Sequence, residues 1–368
     1  MELLELTLRG FRNYRDETFS FDPRCNVIYG ENAQGKTNLL EAIVYLACGR
    51  SPRARFDREM IGFSGDEASL IGRGTVGERA REIEIRLHRA RRRSLTVDQV
   101  KVKGAAALGE VFHTVYFSPE DLYLIRAGAA ERRRFLDDAL CQLRPRYELA
   151  LQRYRRALEQ KTRILRDADE RPDLLPLLPE FSEQMVMSGA VLVQCRAEFI
   201  ARLHEYAAAY HLECSGGREA LALRYETVSS VTDPLSPPET LIEQLRAHME
   251  AHAAAERASR LCLSGPHKDE LRVSIDQQDA KQYASQGQAR TAALSLKLAE
   301  RDIFKNVLGE YPLLLLDDVL SELDPRRQEF VLNRIRGGQL FITCCEDDRL
   351  TALLGGKVLH IREGRELS

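Results

Sequence analysis

Eight residues constrain this chain more than any others: Gly30-Glu31-Asn32-Ala33-Gln34-Gly35-Lys36-Thr37, which meet the pattern G-x-x-x-x-G-K-[ST] at each fixed position. The two glycines let the backbone wrap with its N–H groups turned inward, so the loop is shaped to cradle phosphate. Its surroundings fit that task. Cys25-Asn26-Val27-Ile28-Tyr29 reads as an apolar strand running into the loop, and Thr37 to Cys48 reads as an apolar helix leaving it. The helix N-terminus adds partial positive charge. Such a loop, continued by Asn38, binds a nucleoside triphosphate: Lys36 reaches its β- and γ-phosphates and Thr37 sets a hydroxyl on Mg²⁺.

The second half of such a site is an apolar strand ending in acid, and Leu313-Leu314-Leu315-Leu316-Asp317-Asp318 supplies it. Asp317 is the expected Mg²⁺ ligand, and Asp318 is placed to accept a proton from the attacking water. Two further motifs narrow the class. Tyr283-Ala284-Ser285-Gln286-Gly287-Gln288 opens a helix beginning near Ala289, and Ser321-Glu322-Leu323-Asp324 follows the acidic strand. They resemble the signature sequence and the D-loop of ATP-binding-cassette proteins. In that family the signature loop of one subunit contacts the γ-phosphate held by another. The resemblance therefore implies an ATP-dependent homodimer in which Ser285, Gly287 and Gln288 complete a partner's ATP site.

The resemblance sharpens along the chain. Phe11-Arg12-Asn13-Tyr14, Phe117-Ser118-Pro119-Glu120-Asp121-Leu122, Arg132-Arg133-Arg134-Phe135-Leu136-Asp137 and Gly265-Pro266-His267-Lys268-Asp269 are similar to motifs of the RecF family, as is Asp-Asp at 317–318 where Asp-Glu is usual among cassette ATPases. These motifs span nearly the whole chain. The resemblance implies a DNA repair, recombination and replication ATPase of the SOS response, cytoplasmic and nucleoid-associated, acting at gaps or single-strand/double-strand junctions in double-stranded DNA. It implies cooperation with RecR and RecO in loading RecA onto strands coated by SSB. Arg12 and Asn13 are carried over as nucleotide-binding residues.

Two departures from the wider cassette pattern bear on rate. After strand 340–343 the chain reads Thr343-Cys344-Cys345-Glu346-Asp347, with no histidine to sense the γ-phosphate. Residues 117–122 contain no glutamine, leaving Glu120 or Asp121 to serve. Slow hydrolysis follows, with ATP acting mainly as a switch for dimerisation.

The expected fold class is α/β: an ABC-type P-loop ATPase lobe built from residues 1–115 and 296–368, with a mainly helical lobe, 116–295, inserted between. Leu4, Leu6 and Leu8 alternate with polar residues as in a half-buried strand, and Ile83, Ile85 and Leu87 do the same, with Ser94–Val97 as hairpin partner. Apolar residues recur at helical spacing from Phe135 to Leu143 and from Tyr147 to Leu158. Pro172, Pro176 and Pro179 mark a break, after which Phe181 to Tyr210 forms a second long helix. Together they predict a short antiparallel hairpin. Helices at 239–261 and 325–335 and strands at 271–275, 340–343 and 357–361 complete the outline.

Composition excludes other classes. No charge-free apolar run approaches the roughly 20 residues of a membrane span. The start, Met1-Glu2-Leu3-Leu4-Glu5, has no secretory character. The eight cysteines include no C-x-x-C pair and read as buried free thiols. A transporter ATPase would carry the missing histidine. A Rad50-like protein would need long coiled-coil arms between the two halves of the ATPase, whereas the span from Thr37 to Ser285 must also hold the rest of the ATPase core and leaves room only for a short hairpin. The net charge of −2 does not mark a nucleic-acid binder, so DNA contact must rest on local clusters. Arg132, Arg133, Arg134, Arg153, Arg155 and Arg156 form the leading one, and Arg89, Arg91, Arg92 and Arg93 a second. His267 and Lys268 either support the signature region or cap a strand.

Overall fold

The computed structural model describes residues 1–63, 65–345 and 355–367. The chain divides into two compact units, one of Met1–Leu122 with Lys297–Ser368 and the other of Tyr123–Leu296. The first is the α/β ATPase lobe and the second is mainly helical.

A six-stranded sheet organises the first unit. Its order is Arg365–Leu367, Lys357–Arg362, Cys25–Tyr29, Leu340–Cys344, Leu313–Leu316 and Thr114–Phe117. All neighbours are parallel except the first pair. Parallel strands covered on both faces read as unbroken apolar runs, which is why all four leucines of 313–316 are buried. Thr114–Phe117 is too short to stand out in the sequence, yet it forms the edge beside the acidic strand. In this register Tyr29, Cys344, Leu316 and Phe117 end on one side of the sheet, so loops 30–35, 317–318 and 118–122 open at one carboxyl edge.

A second, antiparallel sheet runs Tyr14–Ser20, Glu2–Phe11, Glu67–Val76, Arg79–His88, Ser94–Val97 and Val100–Val102. Its inner residues, among them Leu6, Leu8, Phe19, Leu70, Ile83 and Ile85, share one core with Leu39 and Ile43 of helix Lys36–Cys48 and with Leu315 and Phe341 of the parallel sheet. Leu6 and Leu8 point inward as the alternation predicts, but Leu4 does not. A bulge between Leu3 and Glu5 buries Leu3 completely and leaves Leu4 37% exposed. Strand Glu67–Val76 escapes sequence reading because Gly72 and Gly74 interrupt its pattern. A Cβ at Gly72 would lie 2.1 Å from Leu46 of the helix beneath, and one at Gly74 would lie 1.9 Å from the Glu2 carbonyl.

In the second unit, helices Pro145–Arg166 and Leu178–Cys214 pack as the expected hairpin. The second helix starts earlier and ends later than the sequence predicts. Pro179 sits in its first turn, where a missing N–H costs nothing, so this proline begins the helix instead of breaking it. Ala129–Leu143, Pro238–Ser259 and a three-stranded sheet (Gln278–Asp279, Glu270–Ile275, Leu221–Glu226) surround the hairpin.

The centre of this unit is charged. Arg196, 3% exposed, donates to Asp137 at 2.8 Å, to Asp269 at 2.8 Å, to the Tyr147 hydroxyl at 2.9 Å and to the Pro266 carbonyl at 2.8 Å. Tyr147 and Arg155 donate to Asp137, and Tyr225 donates to Asp269. Desolvation pushes the Asp269 carboxyl up, against the pull of Arg196. Removing one member of such a cluster strands buried charge. Arg196→Met therefore lowers stability by about 3–5 kcal/mol, whereas Arg155→Ala, whose guanidinium is largely in water, changes it by less than ~1 kcal/mol. Urea titration of both variants checks the contrast.

Candidate nucleotide site

The loop Gly30–Gly35 is held from two sides. The Gln34 carbonyl accepts from Asn13 Nδ2 at 2.9 Å and from the Gly364 N–H at 3.0 Å. Gln34 Oε1 accepts from the Glu363 N–H at 2.7 Å, and the Tyr14 hydroxyl donates to the Gly35 carbonyl at 2.9 Å. The two glycines are required by space as well as conformation. Gly30 has φ 152° and its Cβ would stand 2.3 Å from the Ile361 carbonyl, while Gly35 has φ 120° and its Cβ would meet Asn13 at 2.6 Å. Ala33 takes a left-handed φ of 65°.

Lys36 is buried beneath this loop, its ammonium donating to the Gly30 carbonyl at 2.6 Å and the Glu31 carbonyl at 3.1 Å. The Cys345 thiol lies 3.7 Å from that ammonium and donates to Asn32 Oδ1 at 3.2 Å. Asn38 donates to Asn13 at 2.8 Å. Arg12 points elsewhere: its guanidinium makes a two-pronged pair with buried Glu41 at 2.7 and 2.8 Å and donates to the Glu59 carbonyl at 2.8 Å.

Asp317 gathers the rest. Its Oδ1 accepts from Thr37 at 3.0 Å and from Thr343 at 2.9 Å, and its Oδ2 accepts from Tyr116 at 2.7 Å. Burial pushes its carboxyl up, with a contribution from neighbouring Asp318, and the three hydroxyls pull it back. Asp318 has a left-handed φ of 53° and donates its N–H to the Thr343 hydroxyl at 2.8 Å. Strain at a residue of this kind is common where geometry serves chemistry. Tyr116 and Thr343 were not among the residues singled out from the sequence. The only signal for either was its place at the end of a short apolar run.

Thr37 and Asp317 offer a hydroxyl and a carboxylate 3.0 Å apart. Hard oxygen donors of this type fit Mg²⁺, which takes one or two protein oxygens and completes its shell with water and substrate phosphate. At the position of the absent glutamine, Asp121 is committed to its own turn, accepting from the Ser118 N–H at 2.8 Å, while Glu120 is exposed. Thr343, Cys344 and Cys345 are described, whereas Glu346 and Asp347 lie outside the described residues. Five cysteines are buried, but Cys345 is exposed, contrary to the reading of the thiols as uniformly buried.

In the second unit Ser285 and Gln288 cap helix Gln286–Leu308 reciprocally. The Gln288 N–H donates to Ser285 Oγ at 3.2 Å, and the Ser285 N–H donates to Gln288 Oε1 at 2.8 Å. Ser285 Oγ accepts in this arrangement, which leaves its O–H able to donate. Gly287, in the first turn, accepts through its carbonyl from the Thr291 hydroxyl at 3.0 Å. His267 is part of the interior. It accepts from the Tyr154 hydroxyl at 2.6 Å and donates to the Cys262 carbonyl at 3.1 Å, and burial brings its pKa down to about 4. Lys268 is exposed.

The arginine cluster divides. Arg132 is 3% exposed, forks onto Glu270 at 2.7 and 2.8 Å and caps the carbonyls of Leu124, Ile125 and Ala127. Its expected DNA contact is corrected: this side chain is a strut inside the unit. Arg133 donates to the Asp269 carbonyl at 2.7 Å, and Arg134 and Arg155 pair with Asp138 and Asp137. Arg153 and Arg156 are exposed.

A raised carboxyl means that the folded chain binds that proton more readily than the unfolded chain. Ionised Asp317 therefore costs stability at neutral pH, and the cost fades as pH falls through its folded pKa towards the ordinary carboxylate value. Asp317→Asn keeps the shape and removes the charge. Without nucleotide it raises Tm by about 2–4 °C at neutral pH, and the gain disappears in acid. Thermal melts from pH 7 down to pH 4 test this, and a gain that grew in acid would contradict it.

Comparison with known proteins agrees with this geometry. Residues 5–171 match the family described as AAA domain. The DNA replication and repair protein RecF of Agathobacter rectalis is 38% identical over 369 residues, covering 99% of this chain and 98% of the relative. A solved structure described as the recombination mediator protein RecF-ATP in the RecFOR pathway superposes with a TM-score of 0.90 at 31% identity, covering 100% of this chain and 98% of that one. An Smc head bound to the C-winged helix domain of ScpA shares the fold at a TM-score of 0.56 and 14% identity. With an ABC-type ATPase lobe and relatives alike over nearly their whole length, the chain belongs to the RecF family of DNA replication and repair proteins.

Proposed function

We propose that the chain binds ATP, hydrolyses it slowly, and uses ATP binding to form a homodimer on gapped DNA during recombinational repair. One observation carries the nucleotide part: Thr37 and Asp317, from loop and acidic strand, meet at 3.0 Å with Lys36 under the same loop. Lys36 exchanges the carbonyls of Gly30 and Glu31 for the terminal phosphates, and the N–H groups of residues 31–36 line them. Thr37 and Asp317 hold Mg²⁺, which when bound neutralises charge on the β- and γ-phosphate oxygens. Asp318 orients the attacking water and takes its proton at the carboxylate. The Ser285 hydroxyl, with Gly287 and Gln288 at the same helix start, meets the γ-phosphate held by the partner copy.

Slow turnover follows from what flanks the site. Cys344 and Cys345 stand where an imidazole would assist, and Asp121 is occupied by Ser118. The repair context rests on the relatives, named for DNA replication and repair and for the RecFOR pathway. RecR, with RecO, and through them RecA and SSB, are the partners this implies. On the helical hairpin Arg153 and Arg156 remain the leading phosphate contacts, with Arg133, Arg134 and Arg155 beside them. A second reading, a clamp working by ATP binding without hydrolysis, is favoured by the missing imidazole alone.

Sedimentation with and without ATP and short gapped DNA tests the proposal. ATP converts the wild-type chain to a DNA-bound dimer, and Lys36→Met stays monomeric. Asp318→Asn still dimerises but hydrolyses at least ~100-fold more slowly. Equal DNA binding by a monomer without ATP would overturn the switch. If Asp318→Asn cycled on and off DNA like wild type, the clamp reading would replace hydrolysis.

A further inference from the structure

Two segments of the first unit form a basic ledge with exposed aromatic rings. Phe63 is fully exposed and Phe56 is 46% exposed, unusual for rings of this size. Their exposure is built in. Met60 and Ile61 between them fill the core, Gly62 N–H donates to the Gly10 carbonyl at 2.8 Å, and Arg12 N–H donates to the Met60 carbonyl at 2.7 Å. The turn 89–93 is fastened to the same loop. Arg89 donates to the carbonyls of Gly65 at 2.8 Å and Gly62 at 3.0 Å, and Arg93 reaches Asp57 at 3.4 Å and the Gly49 carbonyl at 2.5 Å.

The charge is concentrated. Segments 50–67 and 88–93 hold eight arginines against four carboxylates, in a chain whose net charge is −2. Three of those carboxylates, Asp57, Asp66 and Glu67, already pair with Arg93, Arg89 and Arg91. Arg55 and Arg58 stand over the Phe56 ring at 5.2 and 5.0 Å from its centroid. Exposed rings interleaved with guanidinium groups match a strand that offers phosphates and unstacked bases together. Duplex DNA offers the phosphates but keeps its base faces stacked, so it would use the arginines and leave both rings in water.

We propose that this ledge is a contact surface for single-stranded DNA, with the arginines on phosphates and Phe56 and Phe63 stacked on bases. The inference rests on the DNA reading above and deepens it, because it lets the protein distinguish a gap from plain duplex. At one end of the ledge Arg53 donates to Asn38 Oδ1 at 3.1 Å, beside the phosphate loop, while Phe56 and Phe63 are not part of the nucleotide site.

The absence of tryptophan from the chain makes the test direct. In the full-length protein with ATP and Mg²⁺, Phe63→Trp places one indole on the ledge. Base stacking quenches its emission when gapped DNA is added, and blunt duplex of equal length leaves it unchanged. The double variant Phe56→Ala/Phe63→Ala binds gapped DNA about 10-fold more weakly or worse, with its blunt-duplex affinity and Tm unchanged. Its dependence on salt is also unchanged, because phosphate contacts set that slope. If the wild type binds gapped DNA but the double variant binds it equally well, the ledge is not a base contact and the proposal fails alone. Equal weakening on both DNAs also overturns it. If the wild type binds neither DNA, the DNA reading fails and takes this inference with it. A ledge made for an acidic protein partner would show as unchanged DNA affinity in the double variant, and this too counts against the proposal.

Discussion

Everything at the nucleotide edge depends on one buried carboxylate. Asp317 is reached by hydroxyls from three different segments: Thr37 at the start of the loop helix, Thr343 at the end of Leu340–Cys344, and Tyr116 at the end of Thr114–Phe117. Two carboxylate oxygens satisfy all three only if the strands end level, so the parallel register and the position of the helix are fixed together. Burial makes the charge expensive, and the hydroxyls offset only part of that cost. Apolar residues would serve stability better here. A charge kept against stability, next to a residue held at φ 53°, marks a site retained for what it binds.

This explains which parts were legible in sequence. The loop, the acidic run and the long helices carry local signals: fixed glycine spacing, an unbroken apolar strand, a period near 3.6. The partners that complete the site carry only a weak one, a place in a short apolar run. Tyr116 lies on a four-residue edge strand whose role exists only through its neighbour 313–316, about two hundred positions away. Strand Glu67–Val76 was hidden by glycines placed for close packing, and Leu4 alone departed from the alternation read at Leu4, Leu6 and Leu8, because a bulge has no signature in composition.

The arginine motif shows the opposite failure, a visible signal given the wrong meaning. Arg132-Arg133-Arg134 reads as a basic run, yet the helix sends Arg132 inward onto Glu270 and Arg134 outward beside Asp138. Spacing alone cannot separate a strut from a solvent-facing charge when the half-buried carboxylate that decides it lies 138 positions on. The Gly265–Asp269 motif behaves likewise. Gly265 has φ 123°, and its Cβ would stand 2.4 Å from the Tyr154 hydroxyl, so glycine is needed for the bend that presents Pro266 and Asp269 to Arg196. Motifs that look alike across relatives thus include residues answering to a buried charge network as well as residues answering to ATP.

Arg12-Asn13-Tyr14 joins the two kinds of constraint. Asn13 and Tyr14 hold the carbonyls of Gln34 and Gly35 in the phosphate loop, while Arg12 holds Glu41 of the following helix and the Glu59 and Met60 carbonyls through side chain and backbone. One strand end therefore carries hydrogen bonds both to the nucleotide loop and to the segment bearing Phe56 and Phe63. A loop that shifted on nucleotide binding would have to break those bonds or carry the strand end with it. Left-handed backbone at Arg12, φ 53°, is what lets adjacent side chains face these two neighbours. An extended residue would turn Arg12 and Asn13 to opposite faces of the sheet, and one of the two attachments would be lost.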